Sequence, residues 1–259
     1  MIIARERHAH SACFDEIDAA VSAMLAASQD PRLVIFNAHS DPNSIPPGSV
    51  VFNLENVELQ VSPVLFQEHE IWYFSLRNVE RWRRRRSPAT FAQIRHVPIG
   101  HHASMERFTL RSWRERDIDV VFTGAPNPRR ALILDALRRL GYRVLALPWP
   151  YGSERDALLA RARVAVCPLY YPDGLFPVLR SAHSIANGLP IIAEAAAESP
   201  VWHHPPPVPY DEIVGSVDAL LAGGESAVTD TAENAYARFR ASPLSLPPAQ
   251  SSVRPHASC

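Results

Sequence analysis

The sequence predicts an α/β fold built from two open parallel sheets, and three observations lead to this prediction. Short apolar runs alternate with segments of helical spacing, as in parallel strands joined by crossover helices. The alternation occurs in two blocks, separated by a polar and charged stretch at 101–117. The chain has 259 residues, of which 47% are hydrophobic, and a net charge of −1. It can therefore bury a sizeable core as one large domain or two small ones.

The first block predicts one amphipathic helix and four strands. Apolar residues at helical spacing occupy 11–28, where Ser11 is available as an N-cap. A charged helix is expected at 78–86. The strands are predicted at 33–37, 50–57, 71–75 and 94–100.

The second block has the clearer pattern. Continuous apolar strands are predicted at 119–124, 142–148, 164–170 and 189–194. Helices between them are predicted at 128–141, 153–164 and 175–188. Four buried strands with three intervening helices are typical of a doubly wound sheet. Two C-terminal helices follow at 211–223 and 231–241, and the remaining residues are rich in proline and serine.

These blocks define the predicted domain organisation. The sequence predicts an N-terminal Rossmann-like domain at 1–110, a C-terminal one at 111–242 and a disordered tail at 243–259. Two such domains that face each other leave a cleft at the carboxyl ends of their strands, where ligands of open α/β sheets bind.

Composition excludes several classes of enzyme. All 26 basic residues counted as lysine or arginine are arginine. Without lysine the chain cannot form a Schiff base, a P-loop or the strand lysine of a protein kinase. Any anion site must therefore use arginine, histidine or backbone N–H groups. A GC-rich codon bias is the simpler explanation of the composition, but the exclusions hold in either case.

The cysteine pattern and the hydropathy give an expected location. Cys13, Cys167 and Cys259 are widely separated and form neither a disulfide framework nor a zinc pattern. The stretch MIIARERHAH has no apolar run long enough to be expected as a signal peptide, and nowhere do 18 apolar residues run together. We therefore expect a cytoplasmic protein.

Candidate ligand-binding residues follow the strands of the second block. Gly124 ends its first strand, and Arg129 and Arg130 lie in the first turn of the next helix. Unpaired N–H groups at a helix N-terminus and two guanidinium groups suit a diphosphate. The alternative is that both arginines are solvated first-turn residues.

A second group of candidates follows the third and fourth strands of this block. Aromatic residues and a glycine at a strand-to-helix turn could stack a base or a sugar, or could simply pack at the rim. Two helical residues three positions apart share a face, and a carboxylate at a strand end could accept from sugar hydroxyls. These candidates are Tyr170, Tyr171, Gly174, Arg180, His183 and Glu194.

The first block offers fewer candidates. Asn53 and Glu55 fall at the end of its second strand, and Ser75 ends its third. These side chains suit acceptor binding or general-base work, although Glu55 could also be a helix-entry acid.

Taken together, these segments resemble a compact bacterial glycosyltransferase family of the GT-B type. The stretch 119–194 is similar to the C-terminal half of that family, and VFNLENVE, FSLRNVERW and HVPIG are similar to its N-terminal half. The resemblance covers about residues 33 to 195. It implies two facing Rossmann-like domains and a nucleotide-diphosphate sugar as co-substrate, held mainly by the second domain. It implies no obligatory metal and no other cofactor.

The resemblance assigns roles to the candidates. The arginines Arg129, Arg130 and Arg180 would neutralise the leaving diphosphate. The nucleotide or sugar would lie against Tyr170, Tyr171 and Gly174. Glu194 would hold hydroxyls, and Glu55 or His183 would be the base if the enzyme inverts.

The chain departs from better-understood GT-B enzymes at one motif. Those enzymes carry two glutamates before a Gly-Leu-Pro strand. Aligning on Gly188 places Leu175 and His183, themselves eight positions apart, where the glutamates would be. Asp173 or Glu194 could substitute. The departure motivates the main alternative, a non-catalytic binding or regulatory module in a glycan or natural-product pathway.

Two sequence features bear on other partners. The basic run 81–86 suggests nucleic-acid binding, but the near-neutral chain and the lack of known modules argue against such a partner. The same run is compatible with a peripheral position at the inner membrane surface. The pairs His101–His102 and His203–His204 lack the spacing of a helical zinc site, so no metal site is predicted.

Overall fold

The chain folds around two parallel sheets. The structure is a computed structural model that describes residues 15–36, 45–54, 69–85, 93–148 and 151–248. Within these ranges each sheet has four strands, and every strand pair is parallel. This arrangement confirms the α/β class and the open parallel sheets predicted from the sequence.

The first sheet follows chain order. Its strands are β1 (Val34–Phe36), β2 (Val50–Asn53), β3 (Glu70–Tyr73) and β4 (Ile94–His96), with helices α1 (Asp15–Ala27) and α2 (Leu76–Arg85). The ring of Phe52 lies between those of Phe36 and Trp72, with both centroid distances 5.7 Å. These large rings are fully buried and fix the three strands as one layer.

The strand order of the second sheet departs from chain order. Its strands are β5 (Ile118–Thr123), β6 (Val144–Leu147), β7 (Ala162–Cys167) and β8 (Ile191–Ala193), arranged β6-β5-β7-β8. The connecting helices are α3 (Pro128–Arg139), α4 (Gly152–Leu159) and α5 (Val178–Ala186). The chain runs outward from β5 to β6 and then crosses back to β7. The loops after β5 and β7 therefore diverge and leave a crevice at the carboxyl ends of these strands.

The C-terminal helices join the two domains. Helix α6 (Ile213–Ala222) packs on the second sheet, and α7 (Gly224–Arg240) follows it directly. The ring of Phe239 lies 4.5 Å from that of Trp202 and 5.4 Å from that of His101. Leu244 N–H then donates to the carbonyl of His101 over 2.8 Å. The end of the second domain is thus attached to the segment that leaves the first.

Most observed elements are shorter than or shifted from their predicted ranges by a few residues, and the C-terminal part of the chain differs most. Helix α7 begins at Gly224 rather than at residue 231, because the polar residues before Thr231 also follow the helix. Ser242, Pro243 and Leu244 lie against Gly100 and His101, so the beginning of the predicted tail is packed. Residues 249–259 and Ser11 lie outside the described residues.

In the described part of the chain, no helix has the length and apolar character needed to cross a bilayer.

Candidate functional site

The predicted ligand residues converge at the crevice between β5 and β7. The loop after β5 and the loop after β7 are joined by side chains from the start of α3. Asn127 Nδ2 donates to the carbonyl of Tyr170 over 2.8 Å, and Arg130 Nε donates to that of Pro168 over 3.0 Å. Asn127 Oδ1 also caps α3 by accepting from Arg130 N–H over 2.8 Å. The two loops therefore form one framework, which we call the β5–β7 crevice (residues 124–130 and 168–174).

Arg129 and Glu194 are bound to each other in this crevice. Arg129 Nη1 donates to Glu194 Oε2 over 2.6 Å, and Nη2 donates to Oε1. Glu194 also accepts from Leu169 N–H over 2.8 Å and is 4% exposed. The Arg129 guanidinium lies 3.8 Å from the centre of the Tyr210 ring, whose hydroxyl donates to the Arg129 carbonyl. Arg129 and Glu194 thus form a bidentate ion pair in this structure, and the diphosphate role of Arg129 and the hydroxyl role of Glu194 stay predictions.

Arg130 and Arg180 lie in a different environment. In the described residues, neither forms an ion pair with a carboxylate. Arg130 Nη1 donates to the Ala125 carbonyl over 2.8 Å, and Arg180 Nη1 donates to Cys167 Sγ over 2.8 Å. Burial, followed by the charge of Arg180, lowers the pKa of Arg130 to about 10. The crevice thus holds two neighbouring cations, Arg130 and Arg180, that no described carboxylate neutralises.

Gly124 gives the guanidinium of Arg180 its space. The residue has a φ of 145°, which favours glycine. A Cβ at this position would lie 2.8 Å from Arg180 Nη2. Any larger residue would therefore displace the arginine. This is a steric reason for the glycine that follows β5.

The aromatic candidates form the outer wall of the crevice. Tyr170 is 39% exposed and Tyr171 is 57% exposed, and their rings meet edge to face with centroids 4.7 Å apart. The Arg130 guanidinium lies 5.1 Å from the centre of the Tyr170 ring. Gly174 N–H donates to the Tyr171 carbonyl over 3.0 Å and so closes the turn. Both rings are therefore open to a ligand, as expected for a stacking surface.

His183 has different neighbours from Arg180, although both lie on α5. His183 is 4% exposed, and its Nε2 lies 2.8 Å from Asp156 Oδ1. Its ring packs 5.5 Å from that of Phe108, and Arg155 also donates to the same carboxylate. His183 is therefore bonded to Asp156 and Arg180 to Cys167, and the role of His183 as a base stays a prediction. The other predicted base, Glu55, lies outside the described residues.

A cavity of about 310 Å³ lies between the two domains. Its walls come from the carboxyl ends of β3 and β4, from the loops after β7 and β8, and from the segment after α7. We call it the interdomain cavity. Most of its wall is apolar, and it adjoins the β5–β7 crevice along the loop that contains Gly174. The lining includes Phe74, Ile99, Leu175, Phe176, Val201 and Trp202.

A carboxylate of the second domain caps a helix of the first at the edge of this cavity. Glu198 Oε2 accepts from the Ser75 hydroxyl over 2.6 Å and from Arg77 N–H over 2.9 Å, and Oε1 accepts from Leu76 N–H over 2.8 Å. Burial raises the pKa of Glu198, but these hydrogen bonds and nearby His96 outweigh it and lower the pKa overall. The sequence indicated Ser75, but not Glu198, because the two are 123 positions apart.

His96 is a titratable side chain in the wall of the interdomain cavity that the sequence did not indicate. It ends β4, and its Nε2 lies 3.1 Å from the Phe74 carbonyl. A carbonyl only accepts, so Nε2 carries the hydrogen and Nδ1 of the neutral ring is the basic nitrogen. In the described part of the chain, no three histidine, cysteine or carboxylate side chains are close enough to hold a metal ion.

Comparisons with known proteins give similarities of fold. No protein-family model matches the chain, and no curated protein matches it. Among solved structures, accessory secretory proteins 1, 2 and 3 of Streptococcus pneumoniae match 86% of this chain, at 11% identity and a TM-score of 0.45. The Gap123 glycosylation-associated complex of Streptococcus agalactiae matches 84%, at 13% identity and a TM-score of 0.44.

A third match is a glycosyltransferase involved in avilamycin A biosynthesis. It covers 86% of this chain and 78% of its own, at 15% identity and a TM-score of 0.40. The chain spans about half of the two streptococcal chains, 53% and 54% of their lengths.

Proposed function

We propose that the chain is a glycosyltransferase whose β5–β7 crevice binds the diphosphate of a nucleotide sugar. The observation that carries this proposal is the pair formed by Arg130 and Arg180, two cations without a carboxylate partner in the described residues. Their mutual repulsion is relieved by a bound dianion, and guanidinium groups form strong charge-assisted bonds to phosphate oxygens. The crevice also lies where open α/β sheets bind nucleotides.

The chemistry proposed for the crevice is metal-independent transfer of a sugar. The bond between the anomeric carbon and the diphosphate breaks, and the acceptor oxygen bonds to that carbon. The negative charge that develops on the leaving oxygen is stabilised by Arg130 and Arg180. In an inverting reaction the acceptor proton would pass to a base, and His96 Nδ1 is a candidate in the adjoining cavity wall. Glu55 stays a predicted alternative.

Calorimetric titration of the full chain with UDP, GDP, ADP and dTDP tests this proposal. We expect one of these diphosphates to bind, and Arg180→Ala to weaken it at least tenfold, because the variant removes a cation from the crevice. Arg180→Gln would show the same loss while it keeps a donor near Cys167. Arg138→Ala is the control, because Arg138 is exposed and paired with Asp135. If the folded protein binds none of the four, the assignment is wrong.

A non-catalytic nucleotide-binding module is the second candidate. It is favoured by the engagement of predicted ligand groups within the protein: Arg129 with Glu194 and His183 with Asp156. Sugar-nucleotide hydrolysis without an acceptor separates the two candidates. Release of diphosphate and free sugar by the wild-type chain, lost in Arg180→Ala, would support the enzyme. Tight binding without any turnover would support the module.

A further inference from the structure

We propose that the interdomain cavity is the acceptor site and that it takes an apolar, ring-containing molecule with a hydroxyl group, not a sugar chain. This inference rests on the proposed function and adds a class of acceptor to it. The cavity is placed for this role because Gly174 and Leu175 line it, while Leu169 and Tyr170 of the same loop border the β5–β7 crevice.

The wall of the cavity favours apolar ligands. Both domains contribute to it, with large side chains and prolines. A volume of about 310 Å³ lies at the small end of the range for ligand sites, which suits one or two rings. Aromatic and aliphatic walls stabilise such a ligand through burial of its surface. The apolar lining includes Phe74, Ile99, Leu175, Phe176, Val201 and Trp202.

Most polar groups of the wall already have partners within the protein. The Ser75 hydroxyl and both oxygens of Glu198 are bonded across the domain boundary. Trp202 Nε1 donates to the Ile99 carbonyl over 2.9 Å. A sugar ring brings a hydroxyl on almost every carbon, and each hydroxyl buried here without a partner would cost about 1–3 kcal/mol. The described wall therefore disfavours saccharides.

The hydroxyls of Ser199 and Ser242 also line the cavity, and two larger polar groups lie on the first-domain side. Arg77 donates through Nη1 to the Asp173 carbonyl over 3.3 Å, which leaves other N–H groups of the guanidinium. His96 Nδ1 has no hydrogen-bond partner in the described structure. An apolar ligand with one hydroxyl could thus bury its rings against Leu175 and Phe176 and direct the hydroxyl to these two side chains.

Calorimetry with 2-naphthol and with maltotriose tests the ligand class. We expect 2-naphthol to bind, maltotriose not to bind, and Leu175→Gln to weaken 2-naphthol at least tenfold. Val201→Gln is a second variant that keeps the fold, because Val201 is 91% exposed yet lines the cavity; it should weaken 2-naphthol severalfold. Leu132→Gln, an exposed leucine on α3, is the matched control. None of these variants should change the affinity for the diphosphate.

The outcomes separate this inference from the proposed function. Maltotriose binding without 2-naphthol binding, or diphosphate binding with neither of these ligands, would overturn the acceptor class and leave the glycosyltransferase proposal intact. Binding of 2-naphthol that Leu175→Gln and Val201→Gln both leave unchanged would overturn the location. Binding of 2-naphthol by a chain that binds no diphosphate would refute the glycosyltransferase and, with it, the acceptor role.

Discussion

The β5–β7 crevice and the interdomain cavity adjoin along one loop, yet their charges are organised in opposite ways. In the crevice, Glu194 is neutralised by Arg129, which leaves Arg130 and Arg180 as excess cations among the described side chains. In the cavity, Glu198 is satisfied by neutral N–H and O–H donors, so its wall needs no cation opposite it. One region is therefore suited to an anion and the other to an apolar body.

Two adjacent arginines show that the number of charges in a segment does not reveal which of them is paired. Arg129 and Arg130 are consecutive on α3, and successive residues of a helix point about 100° apart. One side chain thus meets Glu194 and Tyr210, and the other meets the carbonyls of Pro168 and Ala125. Arg129 is neutralised by a carboxylate, whereas Arg130 is bonded to backbone carbonyls and keeps a charge that no described carboxylate neutralises.

The largest expected effect is a loss of stability in Arg129→Ala. If stability were unchanged, the contrast between Arg129 and Arg130 would be wrong. Arg129→Ala leaves the Glu194 carboxylate buried with Leu169 N–H as its remaining described donor. We expect the free energy of unfolding to fall by about 3 kcal/mol, as for other buried pairs that lose one partner. Urea denaturation at pH 7 measures it.

The matched control for Arg129→Ala is Arg138→Ala on the exposed side of the same helix. Its pair with Asp135 lies at the surface, so the change should stay within about 0.5 kcal/mol. The double variant Arg129→Met, Glu194→Leu should recover part of the loss, because it removes the orphaned charge. Equal stability of the Arg129 and Arg138 variants would show that the ion pair is not structural.

A smaller loss is expected on the cavity side. Glu198→Ala removes the cap of α2 and leaves Ser75 and two N–H groups without their partner. The loss should be about 1–2 kcal/mol at pH 7. Glu154→Ala, an exposed glutamate in the first turn of α4, should change stability by less than about 0.5 kcal/mol.

The pH dependence of this loss has a defined sign. The pKa of Glu198 is lower in the folded chain than in the unfolded one. Its contribution is therefore complete above the unfolded value, about 4.3, and disappears as the pH falls through the folded value. Urea midpoints of wild type and Glu198→Ala should thus converge below about pH 4. A difference that stays constant down to pH 3 would show that the ionised carboxylate does not form the cap.

Most of the fold could be predicted because its signals are local. The strand predicted at 119–124 overlaps β5 in all but its first residue, and the helix predicted from 128 begins at Pro128, whose ring fixes φ. The packing of Leu244 and of the end of α7 was not predicted, since it depends on contacts with His101 and Trp202 from distant parts of the chain.

The candidate site was predicted less completely. Strand ends located Arg129, Arg130 and Tyr170 in one crevice, because parallel topology brings loops together at one edge. The partner of each charge is a long-range property, however. The pairing of Arg129 with Glu194 spans 65 positions, and that of His183 with Asp156 spans 27. No local pattern distinguishes an arginine bound to a carboxylate from one left for a ligand.

The variant with the smallest expected effect tests whether charge alone holds a nucleoside diphosphate in the crevice. Tyr171→Ala removes an exposed ring at the outer wall, so stability should change by less than about 0.5 kcal/mol. If the ring stacks on the nucleobase, affinity for the diphosphate should fall about fivefold, or roughly 1 kcal/mol, and Tyr171→Phe should retain it. Calorimetry at about 50 and about 500 mM salt separates the two contributions to affinity, because salt screens ionic attraction but leaves stacking in place. An unchanged affinity in Tyr171→Ala with a steep salt dependence would show that Arg130 and Arg180 hold the ligand without the aromatic wall.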